Sequence, residues 1–370
     1  MTVCSVYFEK RQRGIGVMKK IVRSNSSKKR KKKKRHIGRK IFVTLLVILA
    51  AAAVVGWLFI NGKLDKLKKF ANFNFISPEN ETFEVDPDGD NGGNVIDPSD
   101  VIIDIDNIKR YSDKNIINIL FIGGDSRYLG GGGNSDSMII VSINRKTNEI
   151  KLTSLMRDMY VSIPGYSDNR INAAYAFGGK DLLDQTIEYN FGVKIDGNVA
   201  VDFISFVEAL RPIGNLDIEL NEEEAYYMTY DPEWNYFNRT YTAGINSLDP
   251  DEVLAFARIR NVGNSDFDRT ARQRQVITAA FNKVKSMSLG SIINLADQIL
   301  PCIVTDLSKT EVLSLISTVA KSGMNISDTF RLPADGTFEG AMVRGMSVIL
   351  LDMPENSRQL HEFIYGSVDQ

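Results

Sequence analysis

The sequence predicts an α/β fold, a mixed α+β layered domain with a central sheet flanked by helices, after one N-terminal transmembrane helix. Three observations predict it. Residues 41–60 are apolar and uncharged, short apolar runs separated by turn residues begin after residue 110, and helical periodicity begins near residue 178. Strands and helices do not follow the strict alternation of a parallel βαβ fold, so a mixed sheet is expected.

The uncharged run is IFVTLLVILAAAAVVGWLFI, and its twenty residues are enough to cross the hydrocarbon layer as a helix. A buried core helix would normally have a polar face, and this run has none. Residues 28–40 hold ten Lys and Arg, against four Lys just after the run. The positive-inside bias therefore predicts a transmembrane helix at 41–61, a cytoplasmic tail at 1–40 and an extracellular remainder. A cleaved signal peptide is the alternative, but the run is long for an h-region and no small-x-small cleavage site follows it.

Charge is divided between the two sides of this span. Residues 1–40 hold 16 Lys and Arg against Glu9 alone, whereas the rest of the chain has 29 basic and 45 acidic residues. A basic run beside a membrane span indicates contact with anionic membrane lipid and not with nucleic acid. Residues 62–110 are acidic and rich in Gly, Pro and Asn, which predicts a flexible linker.

The extracellular domain is assigned to residues 111–357, with a C-terminal tail at 358–370. Residues 115–124 form a short apolar run that ends in glycines, as a buried central strand does. Residues 137–143 and 150–156 flank a polar turn and predict an antiparallel pair.

Helices are predicted in the second half of the domain. Residues 199–210 indicate a strand followed by a helix that Asp202 caps. The other predicted helices are 178–192, 249–260, 268–287, 290–300 and 308–322, and a final β-rich stretch follows them.

Histidine and cysteine are too scarce for several kinds of site. The two histidines, His36 and His361, lie at opposite ends of the chain, which argues against Ser-His-Asp or Cys-His catalysis and against a histidine-rich zinc site. Cys4 and Cys302 are too far apart in the sequence for a metal-binding pair. Any chemistry must therefore use carboxylates, arginines, hydroxyls and a bound cation.

Two acids enclose a glycine-rich loop in GGDSRYLGGGGNSDSM, residues 123–138. Asp125 follows the first predicted strand and Asp136 precedes the next, so both can lie at one edge of the sheet and share a hard cation such as Mg²⁺. A surface loop with incidental acids is the alternative. The loop matches neither the Walker A nor the Rossmann pattern, which disfavours nucleotide binding.

Two further segments leave their roles open. Arg157 and Asp158 stand among apolar residues in SLMRDMYVSIPG, either as a buried salt bridge or as a pair facing a cleft. Arg170 precedes the apolar run AAYAF at 173–177, which could be core or the wall of an apolar groove. Spacing alone favours core for this run.

Five arginines and no lysine lie in ARIRNVGNSDFDRTARQRQ, residues 257–275. The guanidinium fork binds phosphate or carboxylate through two hydrogen bonds, which lysine cannot do, so the cluster indicates a phosphate-rich ligand. A solvated charged helix face is the alternative. Arg269 and Gln273 are four residues apart and share a helix face, and Asp266 is expected just before this helix, placed to cap it or to orient an arginine.

The chain resembles the LytR–CpsA–Psr family. The resemblance is carried, in this order behind a single span, by NILFIGGDSR, SDSMIIVSINRKTNEIKLTSLMRDMYVSIPG, RINAAYAFGG and ARIRN…DFDRTARQRQ. It covers residues 110–290 closely and extends more loosely to about 355.

The resemblance implies an extracellular, membrane-anchored phosphotransferase. Its donor would be a glycopolymer of teichoic acid or capsule type on a polyprenyl diphosphate, its acceptor peptidoglycan, and its cofactor Mg²⁺ or Mn²⁺. Asp125 and Asp136 would be the metal ligands and, with Arg157, the catalytic residues. The diphosphate would be bound by Arg127, Arg157, Arg170, Arg258, Arg260, Arg269 and Gln273. The apolar run after Arg170 and the helix after Asp202 would form walls of a lipid-tail channel.

One position departs from the family pattern. Many members carry an arginine two residues before the second aspartate, where this chain has Asn134. A lipid-diphosphate phosphatase and a non-catalytic wall-polymer-binding or regulatory protein remain alternatives. Cytoplasmic control of transcription is disfavoured because the folded domain is expected outside the cell.

Overall fold

A six-stranded mixed sheet forms the centre of the fold. The computed structural model describes residues 68–70, 75–81, 83–86, 94–124, 133–232 and 237–366. All of these belong to one unit of the chain, Asn61–Gln370.

Thirteen strands lie in the described residues. They are β1 (Asn94–Ile96), β2 (Ile116–Gly124), β3 (Ser135–Asn144), β4 (Glu149–Leu155), β5 (Tyr160–Val161), β6 (Asn169–Arg170), β7 (Gly197–Asp202), β8 (Leu216–Leu220), β9 (Gly244–Leu248), β10 (Val304–Thr305), β11 (Asn325–Leu332), β12 (Phe338–Val343) and β13 (Met346–Leu351).

Eight α-helices lie in the same part of the chain. They are α1 (Ile171–Phe191), α2 (Phe203–Leu210), α3 (Glu222–Tyr230), α4 (Pro250–Arg258), α5 (Ser265–Lys285), α6 (Leu289–Ile299), α7 (Lys309–Ser322) and α8 (Met353–Tyr365).

The central sheet has the strand order β10-β7-β2-β3-β4-β11. Strands β2, β3 and β4 are antiparallel neighbours, whereas β7 lies parallel to β2 and β11 parallel to β4. The predicted central strand and antiparallel pair are therefore confirmed. The three small sheets are β1-β12-β13, β5-β6 and β8-β9.

Helices cover both faces of the central sheet, so β3 and β4 are buried on both sides. On one face, Leu183 and Ile187 of α1 and Leu360 of α8 pack against Leu120 and Ile140. The other face is covered by α5 and α7, whose apolar residues pack on Ile139, Val141, Ile143, Ile150 and Leu152. This layered α+β arrangement agrees with the predicted fold class.

Among the described residues no helix has both the length and the hydrophobicity to cross a membrane, and the predicted transmembrane helix lies outside them.

A separate apolar cluster joins the antiparallel β8-β9 pair to α3, α4 and α5. Ile218, Met228, Val253 and Phe256 are fully buried in it. Capping boxes begin α3 at Asn221 and α4 at Asp249, each with a glutamate three residues later. These helices therefore form a stable wall beside the central sheet.

Two predicted helix starts were wrong. Helix α1 begins at Ile171 and not at 178, because the kink at Gly178 and Gly179 interrupts the helical periodicity. Helix α5 begins at Ser265, so Asp266 lies in its first turn and not ahead of it. The predicted cap at Asp202 is confirmed, since its carboxylate accepts from the Ser205 amide.

The predicted C-terminal tail at 358–370 was also wrong where the structure describes it. Helix α8 passes through the predicted boundary, and its Leu360 and Ile364 are buried in the core.

The described part of the predicted flexible linker likewise packs on the domain. Strand β1 pairs in parallel with β12, and Val101 and Ile103 contact the cluster around β12 and β13. The linker was predicted from the average composition of residues 62–110, and a few apolar residues change that average very little.

Asp184 of α1 is half-buried, with its Oδ1 enclosed, and gives one pH-dependent prediction. Burial raises its pKa from 3.8 to about 7, although the Asn198 amide and Lys180 oppose the shift. The folded state then binds a proton more tightly than the unfolded state, so the contribution of Asp184 to stability is lost as the pH rises from about 4 to about 7. In Asp184→Asn the free energy of unfolding should fall less across this range. Urea unfolding of the full chain in detergent measures it.

The control is Asp181→Asn, because Asp181 pairs with the same Lys180 but is exposed. It should keep the pH dependence of the original chain. If Asp184→Asn and the original chain lose stability equally over this range, Asp184 is not the titrating group.

Candidate active site

A cavity of about 730 Å³ lies where β2 ends and β3 begins. Seven residues predicted from the sequence line it: Asp136, Arg157, Arg170, Arg258, Arg260, Arg269 and Gln273. The other two predicted site residues, Asp125 and Arg127, lie outside the described residues. Segments far apart in the sequence therefore converge on one cavity.

Asp136 occupies an irregularity in the β2-β3 ladder. Gly123 pairs with Ser137 and Gly124 with Ser135, so Asp136 is the additional residue on β3. A bulge of this kind redirects a side chain and is common beside active sites. A Cβ at Gly123 would come within 3.1 Å of the Ser137 Cβ, so glycine allows close approach here. Asp125 follows Gly124 directly in the sequence.

Asp266 is the acid around which three of the arginines gather. Its carboxylate lies 3.5 Å from Nε of Arg157, 3.7 Å from Nε of Arg260 and 3.3 Å from Nε of Arg269. It lies in the first turn of α5, one turn before Arg269, so the helix itself sets this pair. The expectation that Asp266 orients an arginine is confirmed.

Arg157 follows β4 and joins Asp136 to this group. Its Nη1 donates to Oδ1 of Asp136 at 2.9 Å, and its Nε lies 3.5 Å from Asp158. Burial lowers the pKa of Arg157, but Asp158, Asp266 and Asp136 more than offset this, and its pKa is raised above the ordinary value. The side chain is therefore a fixed cation at the floor of the cavity.

Arg269 is buried, with its Nη2 donating to the Asp136 carbonyl oxygen at 3.4 Å. Its Nε is enclosed without a hydrogen bond, although Asp266 lies within ion-pair distance. Burial lowers the pKa of Arg269, and Asp266 offsets this only in part. An anion in the cavity would therefore add to the stabilisation of this guanidinium.

Arg258 and Arg260 stand at the more open side of the cavity. The Arg258 guanidinium lies 4.7 Å from the centre of the Phe203 ring, and Arg260 is 45 % exposed. They come from the end of α4 and the residues after it. Both side chains are exposed.

Like Arg269, Arg170 is almost fully buried in the cavity wall. Its side chain is only 7 % exposed, and its Nε donates to the Ser347 carbonyl at 3.0 Å. It also pairs with Asp86 and lies 3.7 Å from Asp158. Burial raises the pKa of Asp158, and Arg157 and Arg170 oppose that rise.

Glu84 and Asp86 are cavity residues that were not found from the sequence. They belong to the acidic segment predicted as a linker, and nothing in the sequence distinguishes them from the other acids there. Glu84 also accepts a hydrogen bond of 3.0 Å from Asn134, the residue that departs from the family pattern. This segment therefore places two carboxylates beside Arg170.

Replacing Asp86 by asparagine is expected to strengthen anion binding in the cavity. Arg170 would keep its contacts to Ser347 and Asp158, so the main effect is the loss of one negative charge. We expect inorganic diphosphate to bind roughly two- to fivefold more tightly. Isothermal titration of the full chain measures this.

The matched control is Asp100→Asn, a change to another acid of the same predicted linker that is not among the cavity residues. It should leave diphosphate affinity unchanged. Weaker binding in Asp86→Asn would mean that Asp86 mainly positions Arg170.

Arg272 and Arg274 do not line the cavity, although they belong to the same arginine-rich segment. Arg272 is buried, donating to Glu224 at 3.0 Å and to the Ile259 carbonyl at 2.6 Å. Arg274 donates to the Ser154 hydroxyl at 2.8 Å, and burial together with Arg331 lowers its pKa to about 10. The segment therefore combines ligand-facing and structural arginines.

The apolar run after Arg170 lies mostly in the core, as spacing alone indicated. Ala173, Ala174, Tyr175 and Phe177 belong to the buried cluster. Ala173, Ala176 and Phe177 line a second cavity of about 290 Å³ that shares Arg170, Asn172, Asn134 and Glu84 with the first. From α2, Phe203 lines the main cavity.

Asp136 is the predicted metal ligand that the structure describes, and its Oδ1 accepts from Arg157. Among the described residues no group of three or more His, Cys, Asp or Glu side chains could hold a metal ion. Mg²⁺ is commonly held by one or two carboxylates, with waters and substrate phosphates completing its shell. The Asp136 carboxylate, which lines the cavity, is a ligand of this kind.

The model of the LytR_cpsA_psr family matches residues 90–363. The polyisoprenyl-teichoic acid–peptidoglycan teichoic acid transferase TagU of Oceanobacillus iheyensis is 33% identical over 228 residues, which cover 59% of this chain and 67% of TagU. The transferase of the same name, TagV, from Bacillus subtilis is 32% identical over 208 residues, covering 55% of this chain and 52% of TagV. The matches thus span between half and two thirds of these relatives.

Solved structures share the fold. The crystal structure of Bacillus subtilis TagV has a TM-score of 0.55 and 27% identity, over 70% of this chain and 100% of TagV. The LytR-CPS2A-psr family protein YwtF (TagT) from the same organism, with bound octaprenyl pyrophosphate lipid, has a TM-score of 0.52 and 22% identity, over 70% of this chain and 94% of that one.

Proposed function

Because this chain belongs to the LytR–CpsA–Psr family, we propose that it transfers a glycopolymer of teichoic acid or capsule type from a polyprenyl diphosphate to peptidoglycan. The names of TagU and TagV describe this reaction for teichoic acid. The observation that carries the proposal is the convergence of Arg157, Arg258, Arg260 and Arg269 on one cavity.

The donor diphosphate would bind against these guanidinium groups. Five arginines and three acids line the cavity, and two of the acids come from residues 83–86. Arg258 and Arg260 are exposed, and Asp136 and Asp266 pair with Arg157, Arg260 and Arg269. Preset donors of this kind stabilise phosphoryl charge without having to reorganise during the reaction.

The reaction joins an acceptor hydroxyl of peptidoglycan to the phosphorus that carries the glycopolymer. A new P–O bond forms, the bond from this phosphorus to the bridging diphosphate oxygen breaks, and polyprenyl phosphate leaves with the electron pair. The hydroxyl proton passes to a base. A carboxylate is the natural acceptor because no histidine lines the described cavity, and Asp125 is our preferred candidate. The arginines would stabilise the charge that accumulates on the phosphoryl oxygens.

Asp125 and Asp136 would hold Mg²⁺ or Mn²⁺ beside the diphosphate. When bound, the ion would neutralise phosphate charge. The side chains of this chain carry the rest: Arg157 fixes Asp136, and Asp266 fixes Arg157, Arg260 and Arg269. Asn134 would supply no cation where many relatives have an arginine.

The domain would act outside the cell, anchored by residues 41–61 with its N-terminus in the cytoplasm. The apolar run and its flanking charges support this placement. The second cavity, lined by Ala173, Ala176 and Phe177 beside Arg170, offers apolar surface next to the proposed phosphate site. It is therefore a candidate contact for the first part of the lipid tail.

The test is reconstitution of the full-length protein in detergent with a synthetic polyprenyl-diphosphate glycan, Mg²⁺ and peptidoglycan oligomers. We expect a metal-dependent product in which glycan and peptidoglycan are joined through a phosphodiester. Release of glycan phosphate at the same rate with and without peptidoglycan would instead indicate a phosphatase. Donor binding without turnover would indicate a non-catalytic protein.

A further inference from the structure

Two tyrosines of α3, Tyr226 and Tyr230, are exposed beside the cavity. Their side chains are 68% and 61% exposed, and their ring centres are 4.8 Å apart. They are four residues apart and therefore share one face of the helix. Large exposed aromatic groups that cluster on a surface commonly mark a binding site.

The pair continues the wall of the proposed active site. Tyr227, the next residue after Tyr226, lines the cavity, and its hydroxyl accepts a hydrogen bond of 2.9 Å from Asn261, which also lines it. Successive residues of a helix are separated by about 100° around its axis. Tyr226 is therefore turned about 100° from Tyr227 around the helix axis, away from the cavity, and Tyr230 lies on the same side as Tyr226.

Helix α3 holds these rings on a fixed support. Ala225 and Met228 are buried on its inner side, and Glu224 forms a buried ion pair with Arg272 of α5. Because α5 also carries Arg269, the rings and the arginines are fixed to one framework. A tyrosine side chain has few rotatable bonds, so binding on it loses little conformational entropy.

The exposed charge on α3 itself is negative, which disfavours a polyanion as the ligand of the tyrosine pair. Glu222 and Glu223 are exposed on the helix that carries the tyrosines, and residues 222–232 contain no lysine or arginine. A phosphate-rich polymer would be repelled there. An uncharged ligand with hydroxyl groups would not be repelled, and it could donate hydrogen bonds to these carboxylates.

The local sequence is also aromatic. Residues 226–241 contain seven Phe, Trp and Tyr in sixteen positions, whereas the whole chain is 9% aromatic. Core packing does not account for Tyr226 and Tyr230, since both are exposed.

We propose that Tyr226 and Tyr230 form a saccharide subsite that binds the uncharged glycan strand of the peptidoglycan acceptor. The apolar C–H face of a pyranose ring packs on an aromatic face, and its hydroxyls bond to the tyrosine hydroxyls and to Glu222 or Glu223. The subsite would hold the acceptor strand as it approaches the arginines. This inference rests on the proposed transfer reaction.

The test uses the full-length protein in detergent micelles and a tetrasaccharide of β-1,4-linked N-acetylglucosamine as the probe. We expect the double variant Y226A/Y230A to bind the probe at least about tenfold more weakly, and Y226F/Y230F to keep most of the affinity. The matched control is Tyr189→Ala, which removes an exposed tyrosine of α1. In the transfer assay, Y226A/Y230A should raise KM for peptidoglycan without changing kcat or the affinity for polyprenyl diphosphate.

Equal probe affinity in Y226A/Y230A and the original chain overturns the subsite. Binding of polyglycerol phosphate in place of the probe does so too. Normal transfer with unchanged acceptor KM in the double variant removes the subsite and leaves the proposed function standing. Tyrosine-dependent saccharide binding in a chain that transfers nothing supports the subsite and counts against the proposed function.

Discussion

Replacing Arg258 by alanine is expected to reduce kcat/KM for the polyprenyl-diphosphate donor by about 100-fold in glycopolymer transfer. The side chain lies over Phe203 at the open side of the cavity and is exposed, so its loss creates no buried hole. Arg258→Lys keeps the charge but not the two-pronged geometry, and we expect an intermediate loss. Transfer is measured on the full-length protein with saturating peptidoglycan.

The control is Arg211→Ala, which removes an arginine that pairs with Glu208 and Asp251 and does not line the cavity. Its activity and thermal unfolding should match those of the original chain. Full activity in Arg258→Ala would show that this guanidinium does not contact the transferred phosphate.

Replacing Arg272 by methionine is expected to destabilise the domain by about 3–5 kcal/mol. The guanidinium and the Glu224 carboxylate are both almost fully buried, 3.0 Å apart, so the variant leaves an unpaired charge in the interior. Urea unfolding of the full chain followed by tyrosine and tryptophan fluorescence measures the change. The double variant E224Q/R272M removes both charges. Its glutamine keeps a side-chain oxygen that can accept from the Asn221 backbone amide at the start of α3, so the double variant should recover most of the lost stability.

A surface ion pair provides the comparison. Arg358 pairs with Glu355 and Glu362 on α8 and is substantially exposed, so Arg358→Met should leave the unfolding midpoint unchanged. If Arg272→Met is no more destabilising than Arg358→Met, the Glu224–Arg272 pair does not stabilise the wall that carries α3.

These two predictions treat arginines fourteen residues apart as different in kind, a difference that the sequence did not predict. Residue type and density indicated a phosphate site, and Arg258, Arg260 and Arg269 do line the cavity. Arg272 has the same local sequence character, but its partner Glu224 is 48 residues away. Only the packing of α3 against α5 shows that Arg272 is bonded inside the protein.

Strands were predicted more reliably than the ends of helices. The apolar runs of β2, β3 and β4 are long enough to form buried strands, and their prediction was confirmed. The start of α1 was wrong because Gly178 and Gly179 break its periodicity. Glu84 and Asp86 were missed because an acid that pairs with a distant arginine looks the same in sequence as an acid in a solvated linker.

The central claim is that this arginine-lined cavity binds the diphosphate head group of a polyprenyl carrier. The most direct measurement titrates the full-length protein in detergent micelles with a polyprenyl diphosphate and with the polyprenol of the same chain length. We expect the diphosphate to bind at least about 100-fold more tightly, with affinity that falls as salt is raised. Equal affinity for the two lipids would contradict the account.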